Sequence, residues 1–176
     1  MSPRVAWLLC AALLAGCGAD PSTPADGDAA NELNSDEKRL PMPDHPYVFH
    51  LVQATLWDQA VADGTTYYPP TYEQDGFTHG TSNPQKLLAV ANHFYPDVPG
   101  DWYCLRMTVA SLQATGVTTV FEGTAPVGDK QPDFEGATDE LFPHIHGGLH
   151  PDAVLQAHAV ARGADGEFLS IADVTE

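Results

Sequence analysis

Cations are scarce in this sequence. The chain has 176 residues, with 7 Lys and Arg against 24 Asp and Glu, and its formal net charge is −17. From residue 45 onward, seventeen acids face only four cations: Lys86, Arg106, Lys130 and Arg162. Because phosphate contacts need clustered Lys and Arg, the composition argues against nucleic acid as a partner. An anionic ligand would depend on backbone amides, histidines or these few cations.

Cysteine is also rare, with three residues at positions 10, 17 and 104. Cys10 lies in a predicted leader and Cys17 is a predicted modification site, so Cys104 is left alone and no intramolecular disulfide is available. Cys104 lies in an apolar stretch, which favours a buried small hydrophobe over a catalytic thiol. The fold must therefore depend on its core.

The sequence has no apolar run long enough to span a bilayer, and the main apolar run covers only residues 5–14. Arg4 precedes this run and Leu14-Ala15-Gly16-Cys17 follows it. This order predicts a bacterial lipoprotein signal at residues 1–16, with lipid on Cys17 anchoring the protein to a membrane of the cell envelope. Gly18, rather than Asp, favours the outer membrane by resemblance to known lipoproteins. The alternatives are an ordinary secretory signal with a coincidental cysteine, or a short anchor helix.

The rest of the chain divides by composition. Residues 17–44 are rich in Asp, Ala, Pro, Ser and Asn, and they predict a disordered acidic tether behind the lipidated cysteine. Residues 45–176 mix apolar, aromatic and turn residues throughout, as expected for a single domain.

Alternation of strand and helix signals in this domain predicts an α+β fold with split, mostly antiparallel sheets and two short helices. The predicted helices begin near Thr55 and Ser82, and a Gly- and Pro-rich stretch over residues 123–140 predicts a long loop. Residues 153–161 fit either helix or strand, and residues 163–171 predict a closing hairpin. The predicted strands cover residues 47–52, 76–81, 102–109 and 117–121.

Histidine is abundant, with eight residues in the chain. His144 and His146 are two apart and share a face if that segment is extended, where His50 and His79 can join them from neighbouring strands. Such a group admits a zinc site made by His144, His146 and one of the other two. Without a His-Glu-x-x-His motif or a Cys pair, histidines that act as hydrogen-bond partners are the favoured interpretation.

The domain resembles the domain-of-unknown-function family 952. The residues that carry the resemblance keep the family's order between about residues 47 and 161: Val48-Phe49-His50-Leu51, Asp75-Gly76-Phe77-Thr78-His79-Gly80-Thr81, Gln85, Phe121-Glu122 and Phe142-Pro143-His144-Ile145-His146-Gly147. Gly80-Thr81 stands where the family has Cys-Ser, and His146 and Gly148 replace a Tyr and a Pro.

The resemblance implies a fold similar to that of the ADP-ribosyltransferases, which cleave the nicotinamide bond of NAD. By that likeness His50 would contact a ribose, His79 and Thr81 would line the pocket, and Glu122 would orient the nucleophile beside an oxocarbenium-like sugar. The expected catalytic residues are thus Glu122 and His50, NAD is a candidate cofactor, and the expected ligand-binding residues are His50, His79, Thr81, Gln85 and His144.

Three functions follow from these observations. The first is a lipid-anchored module whose His-lined cleft binds a small polar or nucleotide-like ligand without turning it over. The second is an NAD-dependent ADP-ribosyl transferase or NAD glycohydrolase-like enzyme, which needs His50 and Glu122 to face one pocket. The third is a zinc-binding envelope protein.

Overall fold

Seven strands and four α-helices make up the part of the chain described by the computed structural model, residues 44–176. The strands are Val48–Gln53 (β1), Thr78–His79 (β2), Trp102–Met107 (β3), Thr118–Glu122 (β4), Phe142–His146 (β5), Gln156–Arg162 (β6) and Phe168–Ile171 (β7). The helices are Ala54–Asp63 (α1), Tyr72–Asp75 (α2), Leu87–Phe94 (α3) and Val109–Ala114 (α4). Among these residues no helix combines the length and the apolar character needed to cross a membrane.

The first sheet has the strand order β1-β3-β6-β7, and all its pairs are antiparallel. Both of its faces are covered: Val48 and Val52 belong to one buried cluster, and Phe49 and Leu51 belong to another. A strand buried on both faces reads as a continuous apolar run, as β1 does apart from His50. His50 is therefore placed inside the protein by its strand.

The second sheet has the order β2-β5-β4, also antiparallel, and places His79 directly opposite His144. It is joined to β1 by a bridge in which Phe49 and Thr81 exchange two backbone hydrogen bonds of 2.8 and 2.9 Å. Gly80 lies beside this bridge, and a Cβ there would be 2.9 Å from Cγ of Pro143. The same Cβ would be 3.1 Å from Cγ1 of Val48 on β1, so Gly80 is packed against both sheets.

The α+β class and the antiparallel pairing are confirmed, as are both predicted helices and the closing hairpin. Two further helices that were not predicted, α2 and α4, are also present among residues 44–176. Helix α4 begins with a capping box in which Thr108 and Ser111 bond each other's backbone N–H groups, and this cap ends β3 at Met107 rather than at residue 109. The ambiguous residues 153–161 contribute mainly to strand β6.

The N-terminal predictions concern residues outside the described range. The signal at 1–16, the lipidated Cys17 and the tether through residue 43 all lie there. Cys104 is described, and it is buried as predicted, with burial raising the pKa of its thiol to about 12. A thiol held protonated in this way is a packing residue rather than a nucleophile.

Candidate functional site

A cleft lies beside the Phe49–Thr81 bridge that joins the two sheets. It contains two adjoining cavities with volumes of about 40 and 230 Å³. The two cavities share four lining residues: His50, Leu51, Tyr95 and Val127. The first is further lined by His79, Thr81 and His144, and the second by Tyr67, Trp102 and two prolines.

His50 is fixed on β1 by a hydrogen bond from its Nδ1 to the backbone oxygen of His79, at 2.7 Å. Since a carbonyl only accepts, Nδ1 carries the proton. Burial lowers the pKa of His50 to about 4, so the ring is neutral at pH 7. Its Nε2 is therefore a lone pair, and that atom is buried without a hydrogen-bond partner.

His144 is held on β5 by Glu122, whose Oε2 lies 3.0 Å from Nδ1 of the ring. The ring of Phe77 stacks on the imidazole with centroids 4.1 Å apart and planes at 19°. Burial lowers the pKa of His144 and outweighs the opposing effect of Glu122. The neutral ring donates from Nδ1, and its Nε2 is a second buried lone pair without a partner.

His79 is paired with Asp75, which was not among the predicted site residues. Oδ2 of Asp75 lies 3.1 Å from Nε2 of His79, and Oδ1 accepts a 3.0 Å hydrogen bond from the backbone N–H of Gly128. The Asp75 side chain is only 4% exposed. Burial lowers the pKa of His79 and outweighs the opposing effect of Asp75. The sequence signal that could have identified Asp75 as the partner of His79 is their separation by four residues.

The structure brings most of the predicted residues together. His50, His79, Thr81 and His144 line the first cavity, whereas Glu122 lies outside both linings, bonds His144 and is 54% exposed, so it does not face one pocket with His50. Gln85 does not join them: its side chain is exposed, and its backbone N–H bonds to the capping side chain of Asn83. Thr81 is held by its backbone bonds to β1.

Positive charge is absent from the linings of both cavities. Lys86 pairs with Asp139 and Glu140, Arg106 bonds Gln156, and Arg162 bonds loop carbonyls. Within residues 44–176, no group of three His, Cys, Asp or Glu side chains is arranged to hold a metal ion. The arrangement required by the zinc hypothesis is thus missing from the described part of the chain.

The fold and site define a class: an α+β domain with two antiparallel sheets and a cleft of carboxylate-paired histidines between them. Residues 51–157 match the family described as "Protein of unknown function (DUF952)", and the chain belongs to that family.

Among solved structures, the chain is similar to protein CC0527 from Caulobacter crescentus, with 18% identity, a TM-score of 0.53, and coverage of 70% of this chain and 93% of that one. A double mutant of the same protein gives the same values. This likeness concerns the fold alone. No curated protein matches the sequence, and the likeness to ADP-ribosyltransferases stays a prediction.

Proposed function

We propose that this domain is a binding module whose cleft holds a small polar or nucleotide-like ligand through the lone pairs of its histidines. The observation that carries the proposal is that His50 and His144 line one cavity and that each has a buried Nε2 atom without a hydrogen-bond partner. Each buried acceptor left unpaired costs about 1–3 kcal/mol. A ligand that supplies hydroxyl or N–H donors to both atoms recovers this free energy.

The ligand reaches these atoms only when the cleft opens. Both Nε2 atoms are shielded from solvent, and the long loop at residues 123–141 contributes Thr124, Ala125, Val127 and Phe134 to the wall of the first cavity. Asp75 ties this loop to α2 through the N–H of Gly128. Binding therefore involves a displacement of this loop together with the formation of the two hydrogen bonds.

Adenosine is a suitable first probe, because it is uncharged and carries three hydroxyl groups. The measurement is long-range ¹H–¹⁵N NMR of the histidine rings in the full chain, where we expect the Nε2 resonances of His50 and His144 to move and those of His146 to stay. Replacing His144 by Ala should weaken binding about tenfold, as for loss of one hydrogen bond with its partner left buried. His146→Ala is the matched control on the same strand. Unchanged Nε2 resonances at the solubility limit of adenosine would oppose the proposal.

An NAD-cleaving enzyme is the second candidate, and the Glu122–His144 hydrogen bond favours it. A carboxylate that orients a neutral histidine leaves the opposite ring nitrogen free to act as a base. The scarcity of cations weighs against it, since neither cavity offers Lys or Arg to a pyrophosphate. Release of nicotinamide from NAD by the full chain, lost in Glu122→Ala, would support the enzyme, and its absence would leave the binding module.

We also propose that the domain is displayed on the bacterial cell envelope through lipid on Cys17, most simply at the outer membrane. The support is the signal at residues 1–16 and the acidic tether behind it. Metabolic labelling with a fatty acid followed by membrane fractionation tests it. Label that is lost in Cys17→Ser is the expected result, and a released, unlabelled protein would contradict it.

A further inference from the structure

Two carboxylates, Asp75 and Glu122, lie behind histidines that line the first cavity, and neither lining contains a cation to balance them. Asp75 and Glu122 are each hydrogen-bonded to a neutral histidine, so each pair has a net charge of −1. The Asp75 carboxylate is almost completely buried, and its contacts are His79 and the N–H of Gly128. A buried charge without an opposite charge is destabilising. A positive group placed against His79 in the cleft would lie one imidazole ring away from this charge and would offset it.

The second cavity supplies a different kind of surface. Its lining includes the aromatic residues Tyr67, Tyr95 and Trp102 together with Pro69 and Pro70. The Tyr95 and Trp102 rings lie 4.9 Å apart, centroid to centroid. Flat walls of this kind accept a planar apolar group, and aromatic faces also attract a cation.

Ammonium combines the two requirements better than a metal ion or an anion does. It offers up to three N–H donors to nitrogen lone pairs and carries the missing positive charge. A metal ion would need three converging ligands, which residues 44–176 do not provide. An anion would find no Lys or Arg in either lining, and two carboxylates lie directly behind the lining histidines His79 and His144.

We propose that the cleft takes an organic ammonium ion that carries a flat ring, with the ammonium group against His79 and His144 in the first cavity and the ring against Tyr67, Tyr95 and Trp102 in the second. The inference rests on the proposed binding function and adds the charge and shape of its ligand. His50, which lines both cavities, lies where the two parts of such a ligand meet.

The test compares three probes of one shape in calorimetric titrations of the full chain: 2-phenylethylamine, 2-phenylethanol and phenylacetate. We expect the amine to bind about tenfold more tightly than the alcohol, phenylacetate to give no heat, and added salt to weaken only the amine. Equal affinity of amine and alcohol, or preference for phenylacetate, would overturn the charge assignment and leave the binding function intact. If none of the three binds, and adenosine also leaves the histidine resonances unchanged, the binding function itself fails.

Two variants locate the charge. Asp75→Asn keeps an acceptor for the Gly128 N–H and removes one negative charge. Glu122→Gln likewise keeps an acceptor for Nδ1 of His144 and removes one negative charge. Each should weaken the amine about fivefold and change the alcohol little, and Glu73→Gln, an exposed carboxyl on α2, is the matched control. Should Asp75→Asn fail to fold, Glu122→Gln still decides, since Glu122 is half exposed on an edge strand. Equal losses for amine and alcohol would indicate a structural effect and overturn the proposal.

Discussion

Replacing Arg162 by Met should destabilise the domain more than any other substitution of a cation. The Arg162 guanidinium bonds the backbone oxygens of Val98 at 2.7 Å, Pro96 at 3.0 Å, Gly100 at 3.1 Å and Gly166 at 2.6 Å. Its central carbon also lies 4.3 Å from the centroid of the Phe168 ring. Methionine keeps the apolar stem and removes every donor.

The magnitude follows from these contacts. A hydrogen bond to a charged group contributes about 1.5–3 kcal/mol when buried, but the loops around Arg162 are partly exposed and their freed carbonyls can bond water. We therefore expect a loss of about 3 kcal/mol in the free energy of unfolding, well below the sum of the individual bonds. For a domain of this size that corresponds to a fall in Tm of about 10 °C.

Thermal unfolding followed by circular dichroism measures this difference, with Arg106→Met as the matched control. Arg106 donates one hydrogen bond to Gln156, and its Nε is buried without a partner, so its replacement should lower Tm by only about 2 °C. Equal Tm values for the two variants would refute the view that the Arg162 guanidinium holds the loop at residues 96–100 to the turn at Gly166.

Three further predictions concern pH, packing and reactivity. Burial lowers the pKa of His50 to about 4, so below the ordinary histidine pKa the unfolded state binds more protons than the folded state. The free energy of unfolding should therefore fall by about 3 kcal/mol as the pH drops from 7 to 4. Urea unfolding should show a smaller fall over the same pH range in His50→Gln. Gly80→Ala places a Cβ 2.9 Å from Pro143 and should cost about 2 kcal/mol in thermal unfolding, whereas Gly123→Ala meets nothing within 4 Å; similar Tm values would contradict the tight packing. Cys104, with its thiol pKa raised to about 12, should resist iodoacetamide at pH 8 until urea is added, and mass spectrometry of its peptide would reveal any earlier labelling.

Local sequence signals predicted most of the strands and two helices correctly, because alternation, caps and Gly-Pro breaks act over a few residues. The Thr108 and Ser111 cap was also a local signal, but it was hidden inside a stretch that alternates like a strand. Helix α2 has a single turn and no apolar face to reveal it.

The histidines of the site were predicted, but their partners were not. Which carboxylate reaches His144 depends on the pairing that sets Val120 opposite His144, and periodicity carries no information on that pairing. The bond between Asp75 and Gly128 joins residues 53 positions apart. The role of Arg162 likewise depends on loops that meet only in the folded protein.

The joint between the sheets has a consequence for the breadth of ligands that such a domain accepts. Phe49 and Thr81 form it at one end of the cleft, and Gly80 lies within it. A strand rises about 3.3 Å per residue, so a slight rotation at the joint displaces the residues farther along the strands by a larger distance. The residues of this joint line the first cavity and can also set the width of the cleft. A side chain added at position 80 would press on Pro143 and Val48, and would change the width of the cleft without changing a histidine.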